Sequence, residues 1–440
     1  MDTIGKLELI AERARQDRKL KFMALYHHIN AESLAACYGE LKKDKACGID
    51  GVTVEAYGAK LGENLKDLVE RLKAKRYQPQ PVRRVYIPNL GKAEERPLGI
   101  PTVEDKLVQI CLKKLLEAIF EQDFLECSNG YRPNRSGHTA VNQLDKVVMT
   151  KGVNHIVEVD IKKFFDEVEH DWVMRGVGER VSDPNILGLI RKFLKAGIME
   201  EGKYMRSEKG TPQGGVISPL LANIYLHYAL DEWFEKRFKP RARGYVQLIR
   251  YCDDFVVACQ QKEDAEGFLK ELEERLKKYG LRISKEKTRV IEFGRGIWKH
   301  SQGTGEKVAT FDFLGFTHYC TVSRRGKFIV GHKTSKKRLA GGLREVKEWL
   351  KKVRNMFAMR EWWPTLKAKL RGHYNYFGIS GNMRCVRQFY GQVKSMVFKW
   401  INRRSQKKSM NWQKYLQYLK WNPLPTPKIY HSIYTQSPIK

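Results

Sequence analysis

Cysteine pairs at CxxC spacing are missing from this chain, whose eight cysteines stand at positions 37, 47, 111, 127, 252, 259, 320 and 385. That spacing indicates neither a zinc ribbon nor a disulfide framework, and the thiols read as reduced core residues of a cytosolic protein. Long apolar runs are missing too: no window approaches the ~20 residues of a spanning helix, which speaks against a membrane partner. The N-terminus, MDTIGKLELIAERARQDRKL, has no apolar stretch and carries Asp2, Glu8, Glu12 and Asp17. It reads as an amphipathic opening helix and not as a targeting peptide. Acids are scarce at the other end, where Thr321 to Lys440 holds only Glu345, Glu348 and Glu361 against 28 Lys and Arg.

What is present is a large, aromatic-rich, basic chain. With 440 residues, 42% apolar, it has material for two to four modules with their own cores. The formal net charge of +32 exceeds what solubility needs and calls for a polyanionic partner, nucleic acid first. The last 120 residues carry +25 of it and the first 320 only +7, so one part would do chemistry while another grips phosphates.

Periodicity predicts helices over 3–43 and 57–75, a strand over Val82 to Pro88, and a loop running into a second strand, Arg96-Pro-Leu-Gly-Ile-Pro101. A helix is expected over Glu104 to Phe120 and a short strand over His155 to Asp160. The glycine-rich turn Gly210 to Gly215 leads into a helix with Ser218 as N-cap and Pro219 at its first position. The apolar runs Val246 to Ile249 and Phe255 to Cys259 flank Tyr251-Cys252-Asp253-Asp254 as a strand pair with a turn. Lys262 to Tyr279 reads as a helix, followed by strand-like Leu281 to Ser284 and Val290 to Phe293. From Lys336 the pattern is helical, with breaks at Pro364, Gly378 and Gly381. The fold class is α+β, with a small antiparallel sheet that carries acids.

Adjacent carboxylates at a strand turn are most often local hydrogen-bonding chemistry. Asp160, also at a strand end, can join Asp253 and Asp254 if the two strands lie side by side. Three carboxylates then share one site, which two-metal phosphoryl transfer requires: one ion activates an attacking hydroxyl and the other neutralises the phosphates.

The segments VEVDIKKFFDEVEH, GTPQGGVISPLLANIYL, RYCDDFVVA, GLRISKEKT and FLGF follow one another in the order found in reverse transcriptases of the group II intron type. From about residue 40 onward the chain resembles that family of intron-encoded reverse transcriptases and maturases. The resemblance implies a right-hand polymerase: an N-terminal extension and start of fingers over 1–80, fingers over 81–150, palm over 151–320, then a basic helical thumb or X domain and tail over 321–440. It implies two Mg²⁺ ions, with Mn²⁺ able to substitute, held by Asp160, Asp253, Asp254 and the carbonyl of Ile161. Nucleotide-binding roles fall to Arg96, Phe165, Gln213 and Lys287, with Phe165 as the ring that leaves no room for a 2′-hydroxyl and Lys287 as a general acid near pyrophosphate. The basic residues Lys336, Lys337, Arg338, Arg371, Arg403, Arg404, Lys407 and Lys408 are its candidate RNA contacts. The implied partners are intron RNA, an RNA template with a DNA or RNA primer, deoxynucleotides and target DNA; the implied location is cytoplasmic, with the nucleoid.

Two departures stand out. Asn89 replaces the family's usual lysine after Ile-Pro, leaving Lys92 to reach the same space, and Cys252 replaces the usual alanine before the Asp pair. Cysteine is a small hydrophobe that fits the same pocket and is open to a role in primer handling. No Cys/His cluster follows the thumb, so second-strand cleavage by an HNH-type domain is not expected. Two other readings stay open: a free-standing relative with a role in repair or phage defence, and an RNA-binding splicing factor with an inactive polymerase site.

Overall fold

A computed structural model describes residues 3–87, 95–211, 214–404 and 410–432. Asn89, Lys92, Gln213, Lys407 and Lys408 lie outside them. The described chain divides into two compact units, one of residues 3–87, 95–140 and 155–290 and one of 141–154 and 291–432. Among the described residues no helix is long and apolar enough to cross a membrane.

Eleven strands are described: β1 Val82–Ile87, β2 Arg96–Ile100, β3 His155–Asp160, β4 Ile198–Glu200, β5 Lys203–Met205, β6 Val246–Tyr251, β7 Asp254–Cys259, β8 Arg289–Glu292, β9 Phe311–Phe313, β10 Phe316–Val322 and β11 Phe328–Thr334. They form sheets of order β2-β1-β4-β5, β6-β7-β3-β8 and β11-β10-β9. In the second of these β7 lies between β6 and β3 and is antiparallel to both. Its residues Phe255, Val256, Val257, Ala258 and Cys259 are all fully buried, which is why a central strand reads as an unbroken apolar run. Helix Val103–Phe120 and helix Ser218–Leu226 belong to the same core.

In the second unit the three antiparallel strands precede helices Lys336–Met356, Met359–Phe377, Met383–Ile401 and Trp412–Trp421. Of the six tryptophans beyond residue 340, Trp362, Trp363 and Trp400 are core, while Trp412 and Trp421 are exposed.

Several local expectations fail for physical reasons. The predicted helix over 3–43 is interrupted after Gln16, because Phe22 pairs with the 180–182 segment: its N–H donates to the Arg180 carbonyl and its carbonyl accepts from Ser182. Ser218 is the first helical residue and not the cap; the Gln109 side-chain oxygen accepts from the N–H of Val216 instead. Pro364 does not end a helix but lies inside Met359–Phe377, close enough to its start that the lost N–H removes a single early hydrogen bond. Leu281 to Ser284 forms only an isolated bridge, Ile283 to Ile161. The β4–β5 hairpin and the β9–β11 sheet had no counterpart in the sequence reading.

Candidate active site

Strand pairing brings the acids together. The β3–β7 register sets Asp160 directly opposite Asp254, and the β6–β7 register sets Tyr251 opposite Asp254, so Cys252 and Asp253 form a two-residue turn beside them. Opposed residues place their Cβ atoms ~4.5–5.5 Å apart, which puts the two carboxylates side by side. Asp253 is half-buried. Burial pushes its carboxyl up, the Asp160 charge adds to that, and a hydrogen bond from the Cys252 thiol and the charge of Arg96 oppose it. Arg96, the first residue of β2, thus lies within electrostatic reach of the turn.

Ile161 adds a backbone oxygen. Its bridge to Ile283 is closed by the neighbouring residues, Lys162 N–H to the Arg282 carbonyl and Ser284 N–H to the Asp160 carbonyl. That pattern turns the carbonyl of Ile161 away from residue 283. Three carboxylates and a carbonyl are hard oxygen donors, and clustered anions of this kind fit a divalent cation such as Mg²⁺. Lys287 reaches the same place, with Nζ 2.9 Å from Asp160 Oδ2. Both side chains are well exposed, so the pair adds at most about 1 kcal/mol to stability and its position matters more than its energy.

Phe165 packs edge-on against buried Phe164, ring centroids 5.3 Å apart, and lines a cavity of about 360 Å³ with Pro97, Gly99, Gly210 and Thr211. Arg84, Arg206 and Lys209 line it together with the acids Asp166 and Glu208. Two glycines shape this wall. Gly210 has φ +82° and a Cβ there would sit 2.7 Å from the Phe165 carbonyl oxygen; Gly214 has φ +111° and would meet the Gly99 oxygen at 2.3 Å. The glycine-rich turn therefore lets the backbone approach β2 and Phe165 closely.

The support beneath the Asp pair was not anticipated from sequence. Cys252 has φ +58°, a conformation that costs a non-glycine residue of order 1–3 kcal/mol. Arg250, wholly buried, holds this turn: Nη1 donates to the Cys252 carbonyl at 3.0 Å and to Asn223 Oδ1 at 3.0 Å, while Nη2 donates to Ser128 Oγ at 2.8 Å. Its Nε and Nη2 form a two-pronged ion pair with Asp231, also wholly buried, which lies in a π-helical turn. Asn223 in turn donates to the Gly130 carbonyl at 2.6 Å, and a Cβ on Gly130 would lie 2.5 Å from the Cys252 nitrogen. Tyr131, at φ +55°, sets its ring 6.0 Å from that of Tyr251. The signal that could have exposed this network is Arg250 itself, a charge in register with the buried Val246 and Leu248 of its strand. Cys252 is buried and its thiol is pushed up by that burial, in keeping with a packing role.

The candidate RNA contacts belong to the second unit. Lys336, Lys337, Arg338, Arg371, Arg403 and Arg404 are all exposed in the second unit. Arg403 lies over the Trp400 ring at 5.3 Å and Arg404 donates to the Phe357 carbonyl at 3.3 Å.

Comparison with known proteins places these residues in context. Residues 87–318 match the family "Reverse transcriptase (RNA-dependent DNA polymerase)". The group II intron-encoded protein LtrA of Lactococcus lactis subsp. cremoris is 32% identical over 304 residues, 67% of this chain and 50% of that protein. Protein YkfC of Escherichia coli K12 is 36% identical over 284 residues, 57% of this chain and 73% of YkfC. A telomerase structure from Candida albicans aligns over 84% of this chain and 69% of that one, with 12% identity and a TM-score of 0.45. The chain thus spans about half the length of LtrA, and more of YkfC. With the family signature covering the Asp160, Asp253 and Asp254 strands, the chain belongs to the reverse transcriptase family and, within it, resembles the proteins that group II introns encode.

Proposed function

We propose that this protein is the RNA-directed DNA polymerase of a group II intron, copying intron RNA into DNA and assisting the intron's splicing. The observation that carries the reading is the antiparallel register that opposes Asp160 and Asp254 with Asp253 in the adjoining turn. Domains of this family are Mg²⁺-dependent nucleotidyltransferases in general; here Asp160, Asp253, Asp254 and the Ile161 carbonyl would hold two ions. Bound there, divalent cations supply activation of the primer 3′-hydroxyl and neutralisation of the triphosphate. Mn²⁺ would substitute.

The side chains do the rest. Arg96 and, from outside the described residues, Lys92 and Gln213 orient the deoxynucleotide. Phe165 packs under its sugar and leaves no space for a 2′-hydroxyl, and Lys287 donates a proton to the departing pyrophosphate. In this reading 1–80 is the extension and start of fingers, 81–150 the fingers, 151–320 the palm and 321–440 the thumb and tail. Lys336, Lys337 and Arg338 support RNA binding on physical grounds. They occupy the first turn of helix Lys336–Met356, where the helix dipole disfavours positive charge, so they gain nothing from the helix and are placed to meet phosphate. Arg371, Arg403 and Arg404 add exposed positive charge for intron RNA and target DNA, and Lys407 and Lys408, which lie outside the described residues, are assigned the same role.

Primer extension on an RNA template with Mg²⁺ and deoxynucleotides tests the polymerase. The wild-type chain should extend the primer; Asp253→Ala with Asp254→Ala should not, yet should bind intron RNA as before. Loss of both activities in a folded variant would refute the division of labour. Absence of incorporation by the wild type would leave an RNA-binding splicing factor.

A further inference from the structure

Away from the aspartate triad, the second unit buries a second cluster of ligand-type side chains. His318 on β10 and His332 on β11 are directly paired across the hairpin, so both rings leave the same face. Asp145, from helix Gly137–Thr150, meets them there. All three side chains are fully buried, and their ligand atoms lie within 4.8 Å of one another.

This cluster is poorly satisfied by protein alone. His332 Nε2 lies 3.1 Å from Asp145 Oδ1 and 3.0 Å from Oδ2, and only the first contact is a hydrogen bond. Nδ1 of His332 and Oδ2 of Asp145 have no hydrogen-bond partner among the described residues, and the His318 nitrogens make none of good geometry, although the backbone at Phe311 and Phe316 lies near the ring. Each buried polar atom left so costs about 1–3 kcal/mol, a burden that native interiors rarely carry without an explanation. Around the polar atoms the shell is aromatic: Phe311 stacks on His318 with centroids 4.8 Å apart and Phe316 meets His332 edge-on.

We propose that Asp145, His318 and His332 form a binding site for a divalent transition-metal ion, Zn²⁺ by donor type. Two imidazoles and one carboxylate are a common protein set for tetrahedral Zn²⁺, the fourth position being left to water. Zn²⁺ bonds of ~2.0–2.2 Å need donors closer together than 4.8 Å, so the side chains draw inward on binding. Magnesium is the wrong ion here, because imidazole nitrogen suits softer metals. Asp145 and His332 stand 187 residues apart, and a metal ion would staple the 141–154 segment to the β10–β11 hairpin within one unit.

The test uses the full, tag-free chain in millimolar Mg²⁺, which keeps the aspartate triad supplied with its own ion. After stripping with chelator, Zn²⁺ alone is added, excess is dialysed away and retained metal is measured with the melting temperature. Wild type should keep one Zn²⁺ per chain and melt higher with it. Asp145→Asn, which preserves an oxygen acceptor for His332, and His318→Gln should each weaken retention roughly tenfold or more and lose the thermal gain. Should either variant fail to fold, X-ray absorption of the zinc-loaded wild type reads the ligands directly and should show two imidazoles with oxygen. The proposal is overturned if wild type retains no zinc, if both variants retain it undiminished, or if the absorption spectrum lacks the imidazole pair.

Discussion

Replacing Arg250 with methionine should separate fold stability from catalytic alignment in a way that the buried network makes calculable. Arg250 and Asp231 have no solvent exposure, so the substitution leaves an uncompensated carboxylate in the interior. Breaking one partner of such a pair costs about 3–5 kcal/mol, against a total of about 5–15 kcal/mol for a typical domain. Arg250→Met should therefore lower the denaturant midpoint steeply. Combining it with Asp231→Leu removes the stranded charge, and replacing both members of a buried pair by apolar groups is often close to neutral. The double variant should recover the part of the loss that the stranded charge causes, less about 1–3 kcal/mol for each buried acceptor that Arg250 leaves unpaired. It still lacks the donors to the Cys252 carbonyl, Asn223 and Ser128, so the side-chain support for the residue at φ +58° beside Asp253 is gone. Misplacement by an ångström can cost ~100-fold in rate, and primer extension by the double variant should stay at least about tenfold slow. Full recovery of both stability and DNA synthesis in the double variant would show that the network does not position the turn.

Further substitutions probe the wall and the second unit. Phe165→Val should raise ribonucleotide incorporation relative to deoxynucleotide, read by primer extension with each substrate; unchanged selectivity would remove Phe165 as the sugar filter. Gly214→Ala combines a positive φ with a 2.3 Å approach to the Gly99 oxygen, and should lower stability by about 1–3 kcal/mol in a denaturant melt, with slower synthesis. His373, stacked on Phe389 with centroids 3.5 Å apart, is held by burial at a pKa of about 4. Neutral in the fold and protonated when unfolded, it contributes stability that is present above pH 6.5 and lost as pH falls toward 4, up to about 3 kcal/mol. His373→Phe should flatten that part of the pH dependence of the melting temperature.

Composition and motif order reached far into this protein because they report on chemistry that has few solutions. Asp160, Asp253 and Asp254 announce themselves as acids at strand ends, and β7 as an apolar run, since a strand buried on both faces must be apolar along its length. The glycine-rich turn at 210–215 was legible as a turn, and the tertiary structure adds that Gly210 and Gly214 stand against protein backbone at Phe165 and Gly99. Elements held by tertiary pairing were not legible. The 17–30 segment has helical periodicity, yet Phe22 pairs with the strand-like 180–182 backbone. Asn223 reads as a polar residue on an apolar helix, yet is fully buried because Gly130 and Arg250 satisfy it.

The amino-acid order alone determined the class of chemistry, the acids that would carry it and the concentration of positive charge toward the C-terminus. Only the tertiary structure decided which polar groups are satisfied and by what. The Arg250–Asp231 pair under the Cys252 turn and the Asp145–His318–His332 cluster join residues far apart in the chain. Periodicity records which face of an element is buried, but a buried charge or imidazole depends on a partner from another element, and that pairing exists only once the chain has folded.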